Sequence, residues 1–325
     1  MKLSIIIPAY NAEKFISTCI ESIYEQGLPL NDFEVITVLD GCTDNTRAII
    51  ESLQKEHNNI KIIEQENQGV SVARNNGVSA SKGLYILFVD ADDAIYPNTL
   101  GKMLDFAENK QLDILEGDLT FIENSDWENV YNHHIPGNNI DNSSINISNG
   151  TEYFINHFDK ERGYCFLYLI KRNLFSDNSI LFDKNILFCE DLWVSLQLVL
   201  RSQGIAHYPI RFYAYRKYAQ SVSASMNIPK FKSILWVSQQ IRKNRHEYHA
   251  ECRHKLNEIS SYLYSLCIWY LANYSSMYDL RKEIIPYMHK PIYTTSLSSF
   301  ITSLIFRLCP YTFIKIKKKL SKHIY

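Results

Sequence analysis

The N-terminal third of the chain alternates between two hydrophobic periodicities. Short β-branched apolar runs indicate buried strands, and the segments between them carry apolar residues at helical spacing. The predicted strands are 3–8, 33–39, 60–64 and 85–89, and the predicted helices are 13–26, 44–57 and 70–81. Continuous apolar strands that alternate with helices predict an α/β fold with a doubly wound, mostly parallel, Rossmann-like sheet.

The remaining two thirds of the chain show weaker patterns. Residues 117–150 are rich in Asn, Asp, Ser and Gly, which predicts a long surface loop. Order returns at 164–174, and we interpret residues 187–203 as a strand end that runs into a helix. The C-terminal part is helical and rich in Tyr, Trp and Leu. These patterns predict an α/β domain at 1–227 and a helical appendage at 228–325.

Polar residues gather where the predicted strands end. Ligands of open parallel sheets bind at the carboxyl ends of the strands. Four segments with polar residues are expected at that edge, namely Pro8–Asn11, Asp40–Asp44, Asn67–Gly69 and Asp90–Asp93. Their convergence predicts a ligand site there.

The last of these segments carries two aspartates in the pattern Asp90-Ala91-Asp92. Residues two apart at a strand end can point the same way. Mn²⁺ and Mg²⁺ prefer oxygen ligands, and a diphosphate is commonly held between such an ion and one or two carboxylates. The pair therefore predicts a metal-assisted diphosphate site. The alternative is a solvated turn that precedes the helix beginning near Pro97.

Composition limits the function further. The chain has 46% hydrophobic and 21% charged residues, as an ordinary globular protein does. A net charge of -1 argues against a nucleic-acid partner. The 7 cysteines are scattered and odd in number, which favours neither a zinc cluster nor a disulfide framework. With no signal-peptide pattern at the N-terminus, these features predict a cytoplasmic protein.

Five segments together resemble the inverting family-two glycosyltransferases, whose catalytic domain has the GT-A fold. They are SIIIPAYN at 4–11, VLDGCTDNT at 38–46, NQGVSVARNNG at 67–77, GLYILFVDADD at 83–93 and FCED at 188–191. The resemblance implies transfer of one sugar, with inversion, from a nucleotide diphosphate sugar to a saccharide or lipid-linked acceptor in surface polysaccharide synthesis. The Q-x-x-R-W motif of processive synthases is absent from the sequence, which implies a non-processive enzyme.

The resemblance also implies how the nucleotide would be bound. Pro8, Ala9 and Tyr10 would frame the base, although Tyr10 could instead plug the sheet edge. Asp40 would accept a hydrogen bond from the base, which favours uridine and hence a UDP-sugar donor. The family commonly has two adjacent acids at this place, whereas Leu39 precedes Asp40 here.

Further roles are implied for the phosphates and the metal. Arg74 would lie near the base and phosphates, with a surface salt bridge as the alternative. Asp92 would bind Mn²⁺ or Mg²⁺ together with Asp90, which would also contact the ribose. Arg216 would reach the diphosphate, with an ordinary loop as the alternative for its segment.

An inverting displacement requires a general base, and the resemblance implies Asp191 with Glu190 beside it. Two adjacent acids raise each other's proton affinity, which favours a base. The alternative is that both acids merely stabilise the N-terminus of a helix.

The C-terminal tail combines an uncharged segment at 292–306 with a basic end. Its basic residues are Arg307, Lys315, Lys317, Lys318, Lys319 and Lys322. The uncharged segment is shorter than the ~20 residues of a membrane span. The tail suits peripheral docking on the anionic inner face of the cell membrane, and a helical cap with a solvated end is the alternative.

Two other functions fit parts of the pattern. One is a non-catalytic nucleotide-sugar or saccharide-binding module on the same fold, against which the acids Asp92 and Asp191 argue. The other is a nucleotidyltransferase, which would open with a Gly-rich phosphate loop where this chain has Pro8–Asn11.

Overall fold

The computed structural model describes residues 1–127, 140–158, 163–218 and 226–273. The chain divides into two compact units. The first comprises 1–184 and 194–221, and the second comprises 185–193 and the chain from 222 onward, each as far as it is described. The boundary at 227 stays a prediction, and Glu190 and Asp191 belong to the second unit.

The first unit is built on one sheet, which has nine strands among the described residues. They are β1 Leu3–Ala9, β2 Phe33–Asp40, β3 Ile60–Gln65, β4 Tyr85–Phe88, β5 Ala94–Ile95, β6 Ile114–Glu123, β7 Ile147–Ser148, β8 Tyr168–Lys171 and β9 Ile205–Lys217. Their order is β3-β2-β1-β4-β8-β6-β9-β5, and β7 pairs with β9.

The helices follow the strands in alternation along the first part of the chain. They are α1 Ile16–Tyr24, α2 Thr46–Glu56, α3 Val70–Ala80, α4 Leu100–Asn109, α5 Gly150–Asn156, α6 Asn173–Asp177, α7 Glu190–Arg201, α8 Ile228–Asn244 and α9 Arg253–Asn273. The prediction of an α/β fold with C-terminal helices is confirmed. Each element predicted in the N-terminal third is present, with its ends within three residues of the predicted ones.

Strands β3, β2, β1 and β4 form the parallel half of the sheet. All eight residues of β2 are buried, as its apolar sequence predicts for a strand covered on both faces. Helix α3 packs against this half through Gly77. A Cβ at that position would lie 2.3 Å from Cγ2 of Ile6, so the close approach of helix and strand requires glycine.

Strands β8, β6, β9 and β5 form the mixed half of the sheet. β8 runs antiparallel to β4 and β6, whereas β6 and β9 pair in parallel from Ile114 opposite Ile205 to Glu123 opposite Lys217. The prediction of a loop from 117 is therefore wrong up to Glu123. Polar residues in the outer part of β6 are only partly buried, so its sequence resembles that of a loop.

Two further predictions differ from the structure. Residues 187–189 do not form a strand, and α7 begins directly at Glu190. The segment around Arg216 lies in the long strand β9 up to Lys217, so the alternative of an ordinary loop is wrong there. Alternation of buried and partly exposed residues in β9 is the period-two pattern of a strand with one covered face.

The described part of the second unit contains α8 and α9. Apolar residues of both helices are buried, and the hydroxyl of Ser238 donates a 2.8 Å hydrogen bond to the carbonyl oxygen of Ser260. None of the helices in the described ranges is both long and apolar enough to cross a membrane. The basic tail at 292–322 lies outside the described residues.

Candidate active site at the carboxyl edge of the sheet

The loops that follow β1 and β2 are tied to each other. The side-chain oxygen of Asn11, a residue with φ of 49°, accepts a 2.8 Å hydrogen bond from the backbone N–H of Thr43. The thiol of Cys42 donates to the carbonyl oxygen of Ala9 at 3.3 Å. Gly41 has φ of +71°, and a Cβ there would lie 2.8 Å from the backbone nitrogen of Asn67. The two loops and the approach to α3 therefore share one edge.

The three residues predicted to frame the base lie at the end of β1. Ala9 is buried and Pro8 is partly buried. Tyr10 is 55% exposed, so it does not plug the sheet edge. Its ring is accessible to a flat ligand.

Asp40 ends β2 and organises the loop before α3. Its carboxylate accepts hydrogen bonds from the side-chain amide of Gln65 at 2.8 Å and from the backbone N–H groups of Gln68 at 2.7 Å and Gly69 at 2.9 Å. A carboxylate offers about four acceptor sites. These three bonds fix its orientation and leave capacity for a ligand donor.

Arg74 links α3 to the loop that follows β4. Its side chain is almost fully buried, and Nη2 donates a 3.0 Å hydrogen bond to Oδ1 of Asp90. Its guanidinium also lies over the ring of Phe182, 5.4 Å from the centroid. The alternative of a surface salt bridge is wrong because this arginine is buried.

The loop after β4 is a tight turn held by a strand far away in the sequence. The backbone N–H of Asp93 donates to the carbonyl oxygen of Asp90 at 3.0 Å, which closes the turn. Tyr213 of β9 accepts from the backbone N–H of Asp90 at 3.0 Å and donates to Oδ2 of Asp93 at 2.8 Å. The ring of Tyr213 stacks on Phe166, with centroids 4.4 Å apart. We name residues 90–93 the aspartate turn.

Arg216 fixes the other side of the aspartate turn. Its backbone N–H donates to Oδ1 of Asp93 at 2.8 Å, and its Nε donates to the carbonyl oxygen of Asp92 at 2.9 Å. Its guanidinium carbon lies over two rings, 4.6 Å from the centroid of Phe15 and 3.7 Å from that of Trp127. Arg216 was predicted to reach the diphosphate. Some of its N–H groups donate to the aspartate turn instead.

Negative charge is concentrated in the aspartate turn. Burial raises the pKa of Asp92, and the charge of Asp90 raises it further. Burial also raises the pKa of Asp93 well above its ordinary value, with Asp92 and Asp90 adding to the shift. Because these carboxylates repel one another when ionised, a cation bound between them would stabilise their charged forms.

This charge fits a divalent ion that shares its ligands with a diphosphate. Within the described ranges, no group of three or more His, Cys, Asp or Glu side chains is arranged to hold a metal alone. A site of one or two carboxylates that is completed by phosphate oxygens is the usual arrangement for Mg²⁺. Asp92 and Asp90 suit such a site because both follow β4 at the open edge.

Glu190 and Asp191 lie in the second unit, in the first turn of α7. The carboxylate of Asp191 accepts a 2.7 Å hydrogen bond from the backbone N–H of Leu192. Cys189, which directly precedes α7, has a left-handed backbone conformation with φ of 63°. Burial raises the pKa of the Cys189 thiol well above its ordinary value, and Asp191 and Glu190 add to this. The remaining predicted site residues belong to the first unit.

Comparison with known proteins identifies the family. The profile of Glycosyl transferase family 2 matches residues 4–187, more than half of the chain. The chain belongs to this family. The resemblance to family-two glycosyltransferases is therefore confirmed. The matched region ends before Glu190 and Asp191, so their roles stay predictions.

One relative of this glycosyltransferase matches over most of both chains. It is the uncharacterized glycosyltransferase EpsJ of Bacillus subtilis, 31% identical over 293 residues, which are 87% of this chain and 82% of EpsJ. The prediction of a glycosyltransferase is confirmed by the family and by this relative.

Two solved structures share the GT-A fold of this glycosyltransferase. One is S. aureus TarS 1-349 in complex with UDP-GlcNAc, with a TM-score of 0.64 and 20% identity over 93% of this chain and 81% of that one. The other is the mannosyltransferase PcManGT from Pyrobaculum calidifontis in complex with GDP-Man and Mn²⁺, with a TM-score of 0.57 and 15% identity over 95% of this chain and 88% of that one.

Proposed function

We propose that this glycosyltransferase moves one sugar from a UDP-sugar to a saccharide or lipid-linked acceptor, with inversion at the anomeric carbon. The observation that carries the proposal is the convergence of Asp40, Arg74 and the aspartate turn on one edge of the sheet. The UDP-GlcNAc complex of TarS supports the choice of donor, since that protein has the same fold.

The nucleoside would bind at the ends of β1 and β2. The exposed ring of Tyr10 suits stacking on a base. The remaining acceptor capacity of Asp40 suits the ring N–H of uracil, which is a hydrogen-bond donor. Asp40 is already oriented by three hydrogen bonds, so little conformational entropy would be lost when it binds the base.

Asp92 and Asp90 would hold Mn²⁺ or Mg²⁺ together with the diphosphate. The concentration of carboxylates in the aspartate turn and the Mn²⁺ complex of PcManGT support this assignment. The ion would offset the charge that develops on the leaving diphosphate. Arg216 would keep the turn in shape and contribute positive charge nearby.

In the chemical step, an acceptor hydroxyl oxygen would form a bond to the anomeric carbon. The bond from that carbon to the diphosphate oxygen would break, and UDP would leave. Asp191 would take the hydroxyl proton, and Glu190 would raise its proton affinity through like charge. This base assignment rests on the family resemblance of the FCED segment.

The basic C-terminal tail bears on the acceptor and on where the enzyme would act. Lipid-linked acceptors lie at a membrane surface, and the basic tail at 292–322 suits the anionic inner face. The enzyme would then act in the cytoplasm as a peripheral membrane protein.

Release of nucleoside diphosphate from a panel of UDP- and GDP-sugars tests the proposal, with Mn²⁺, Mg²⁺ or a chelator. Wild type should release UDP only with metal. Asp92→Ala should lose donor binding and release, whereas Asp191→Asn should keep donor binding and lose release by about 10²-fold or more, as removal of a general base does. Asp105→Asn, which removes an exposed carboxylate of α4, is the matched control and should behave as wild type.

Each failure points to a different part of the proposal. Full activity of Asp191→Asn would exclude this base, and full wild-type activity in chelator would exclude the metal. Tight binding of UDP-sugar without release from any donor, with or without acceptor saccharides, would favour the non-catalytic binding module.

A further inference from the structure

The side chain of Asp92 has a hydrogen-bond partner outside the aspartate turn. The phenol of Tyr218 donates a 2.8 Å hydrogen bond to Oδ2 of Asp92. Tyr218 directly follows β9, two residues after Arg216. Arg216 was singled out from the sequence of this segment, and Tyr218 was assigned no role.

Aromatic contacts hold Tyr218 in place. Its ring lies 5.4 Å from that of Phe15, centroid to centroid. Phe15 in turn contacts the guanidinium of Arg216, which also lies over the ring of Trp127. Arg216 is itself bound to the backbone of Asp92 and to the buried carboxylate of Asp93. The position of the Tyr218 phenol relative to Asp92 is therefore fixed by these contacts.

Rotation of the Asp92 carboxylate is restricted by this arrangement. Arg216 fixes its backbone carbonyl, and Tyr218 fixes one of its two side-chain oxygens. The second oxygen, Oδ1, then has a defined direction. Small divalent ions demand near-ideal ligand geometry, so a carboxylate with a fixed orientation binds them better than one that rotates.

We propose that Tyr218 is a positioning residue, which holds Oδ2 of Asp92 so that Oδ1 is presented to the divalent ion of the donor site. The inference rests on the proposed function, because it assumes that Asp92 binds that ion. Hydrogen-bond partners of metal-ligating carboxylates commonly change metal affinity by about 10–100-fold when they are removed. Tyr218 is thereby a determinant of metal affinity that does not touch the metal.

The test is a titration of the full chain with Mn²⁺, with and without UDP. The electron paramagnetic resonance signal of free Mn²⁺ measures how much of the ion is bound. Tyr218→Phe removes the donor atom and keeps the ring on Phe15. We expect its Mn²⁺ affinity in the presence of UDP to fall about tenfold or more below wild type. Its melting temperature should fall by only about 2–4 °C, because the ring contact is retained and a single hydrogen bond is lost.

Tyr24→Phe is the matched control. The phenol of Tyr24 donates a 2.7 Å hydrogen bond to the side-chain oxygen of Asn59, far from the aspartate turn. This variant should bind Mn²⁺ as wild type does. UDP release by Tyr218→Phe should recover at saturating Mn²⁺, whereas Asp92→Ala should stay inactive at any Mn²⁺ concentration.

The outcomes separate the inference from the proposed function. Equal or tighter Mn²⁺ binding by Tyr218→Phe, while Asp92→Ala abolishes binding, would overturn the positioning role alone. Failure of wild type to bind Mn²⁺ with UDP would overturn the metal part of the proposed function, and the inference with it. An equal loss of affinity in Tyr24→Phe would also contradict the inference, since the effect would then not be local.

Discussion

The two halves of the sheet differ in how they are built and in what they contribute. The parallel half, β3-β2-β1-β4, is formed by neighbouring segments of one short stretch of sequence and supplies the proposed ligand contacts, such as Asp40. The mixed half, β8-β6-β9-β5, joins segments that are far apart and supplies Tyr213 and Arg216, which hold the aspartate turn. The parallel half presents the proposed ligand groups, and the mixed half sets the geometry of the aspartate turn, where negative charge is concentrated.

The conformation of the aspartate turn therefore depends on residues that are distant in the sequence. Asp90 and Asp92 follow β4, in the parallel half. Their backbone and side-chain orientation are set by hydrogen bonds from β9 and from the residue directly after it. Variants on the two sides should therefore affect stability and ligand binding in different proportions.

The largest expected effect comes from overpacking the parallel half. A Cβ on Gly83 would lie 2.5 Å from the backbone nitrogen of Ser4 in β1, and backbone cannot move aside. Gly83→Ala should lower the free energy of unfolding by about 3 kcal/mol. In the mixed half, a Cβ on Gly117 would meet the ring of Phe212 at 2.5 Å, and a ring can shift. Gly117→Ala should therefore lose less, about 1–2 kcal/mol.

Urea unfolding of both glycine variants measures the difference. An equal loss in the two variants would show that the mixed half is packed as rigidly as the parallel half. A greater loss in Gly117→Ala would reverse the comparison.

An intermediate effect is expected from removing one buried phenol in each half. Tyr213→Phe removes both hydrogen bonds to the aspartate turn. Tyr85→Phe removes a phenol whose single hydrogen is shared between the carbonyl oxygens of Ala107 and Leu112. Each should lower the free energy of unfolding by about 1–2 kcal/mol, since buried partners lose their bonds. Tyr213→Phe should in addition weaken UDP binding, which Tyr85→Phe should leave unchanged.

Urea unfolding and calorimetric titration with UDP and Mn²⁺ provide the two measurements for the phenol variants. If Tyr85→Phe weakened UDP binding as much as Tyr213→Phe did, the loss would follow from general destabilisation and the special role of β9 would be refuted.

The parallel half offers a smaller, pH-dependent effect. Asp44 accepts hydrogen bonds from the backbone N–H and hydroxyl of Thr46 and from the backbone N–H of Glu13. Partial burial acts to raise the pKa of Asp44, but the hydrogen bonds from Thr46 outweigh it, and the pKa lies below its ordinary value. The resulting stabilisation is present above the ordinary pKa of about 3.9 and is lost as the pH falls through the lowered one.

Asp44→Ala should therefore lose about 1 kcal/mol of unfolding free energy at pH 7, as loss of a side-chain contact at a helix start does. The difference from wild type should shrink when both proteins are measured below pH 4. A difference that is the same at pH 7 and pH 3 would show that the carboxylate charge does not matter.

The parallel half could be predicted almost completely from the sequence. Apolar runs such as that of β2 identify buried strands without knowledge of their partners. Asp40, Arg74, Asp90 and Asp92 could be singled out because they follow or face these strands in recognisable segments. Local periodicity identifies the strands, and the resemblance to family-two glycosyltransferases identified these four residues.

The mixed half could not be predicted in the same way. The outer part of β6 is a strand because it pairs with β9, and that pairing joins Asp118 to Arg211 across a register shift that no local pattern reveals. The alternation of buried and exposed residues from Tyr208 to Phe212 was the available signal for β9. The contacts of Tyr213 and Tyr218 with the aspartate turn depend on tertiary pairing and have no local signature.

The bond between Tyr213 and Asp93 also bears on the order of events during synthesis of the chain. The two residues are 120 positions apart. At about 5–20 residues per second, a ribosome needs roughly 6–24 s to add the intervening segment. Throughout that interval the nascent chain can complete its four parallel strands while Asp93 still lacks the tyrosine that will cover it. The aspartate turn would thus be among the last parts of this unit to form, and a chain truncated before β9 should have a sheet but no ordered aspartate turn.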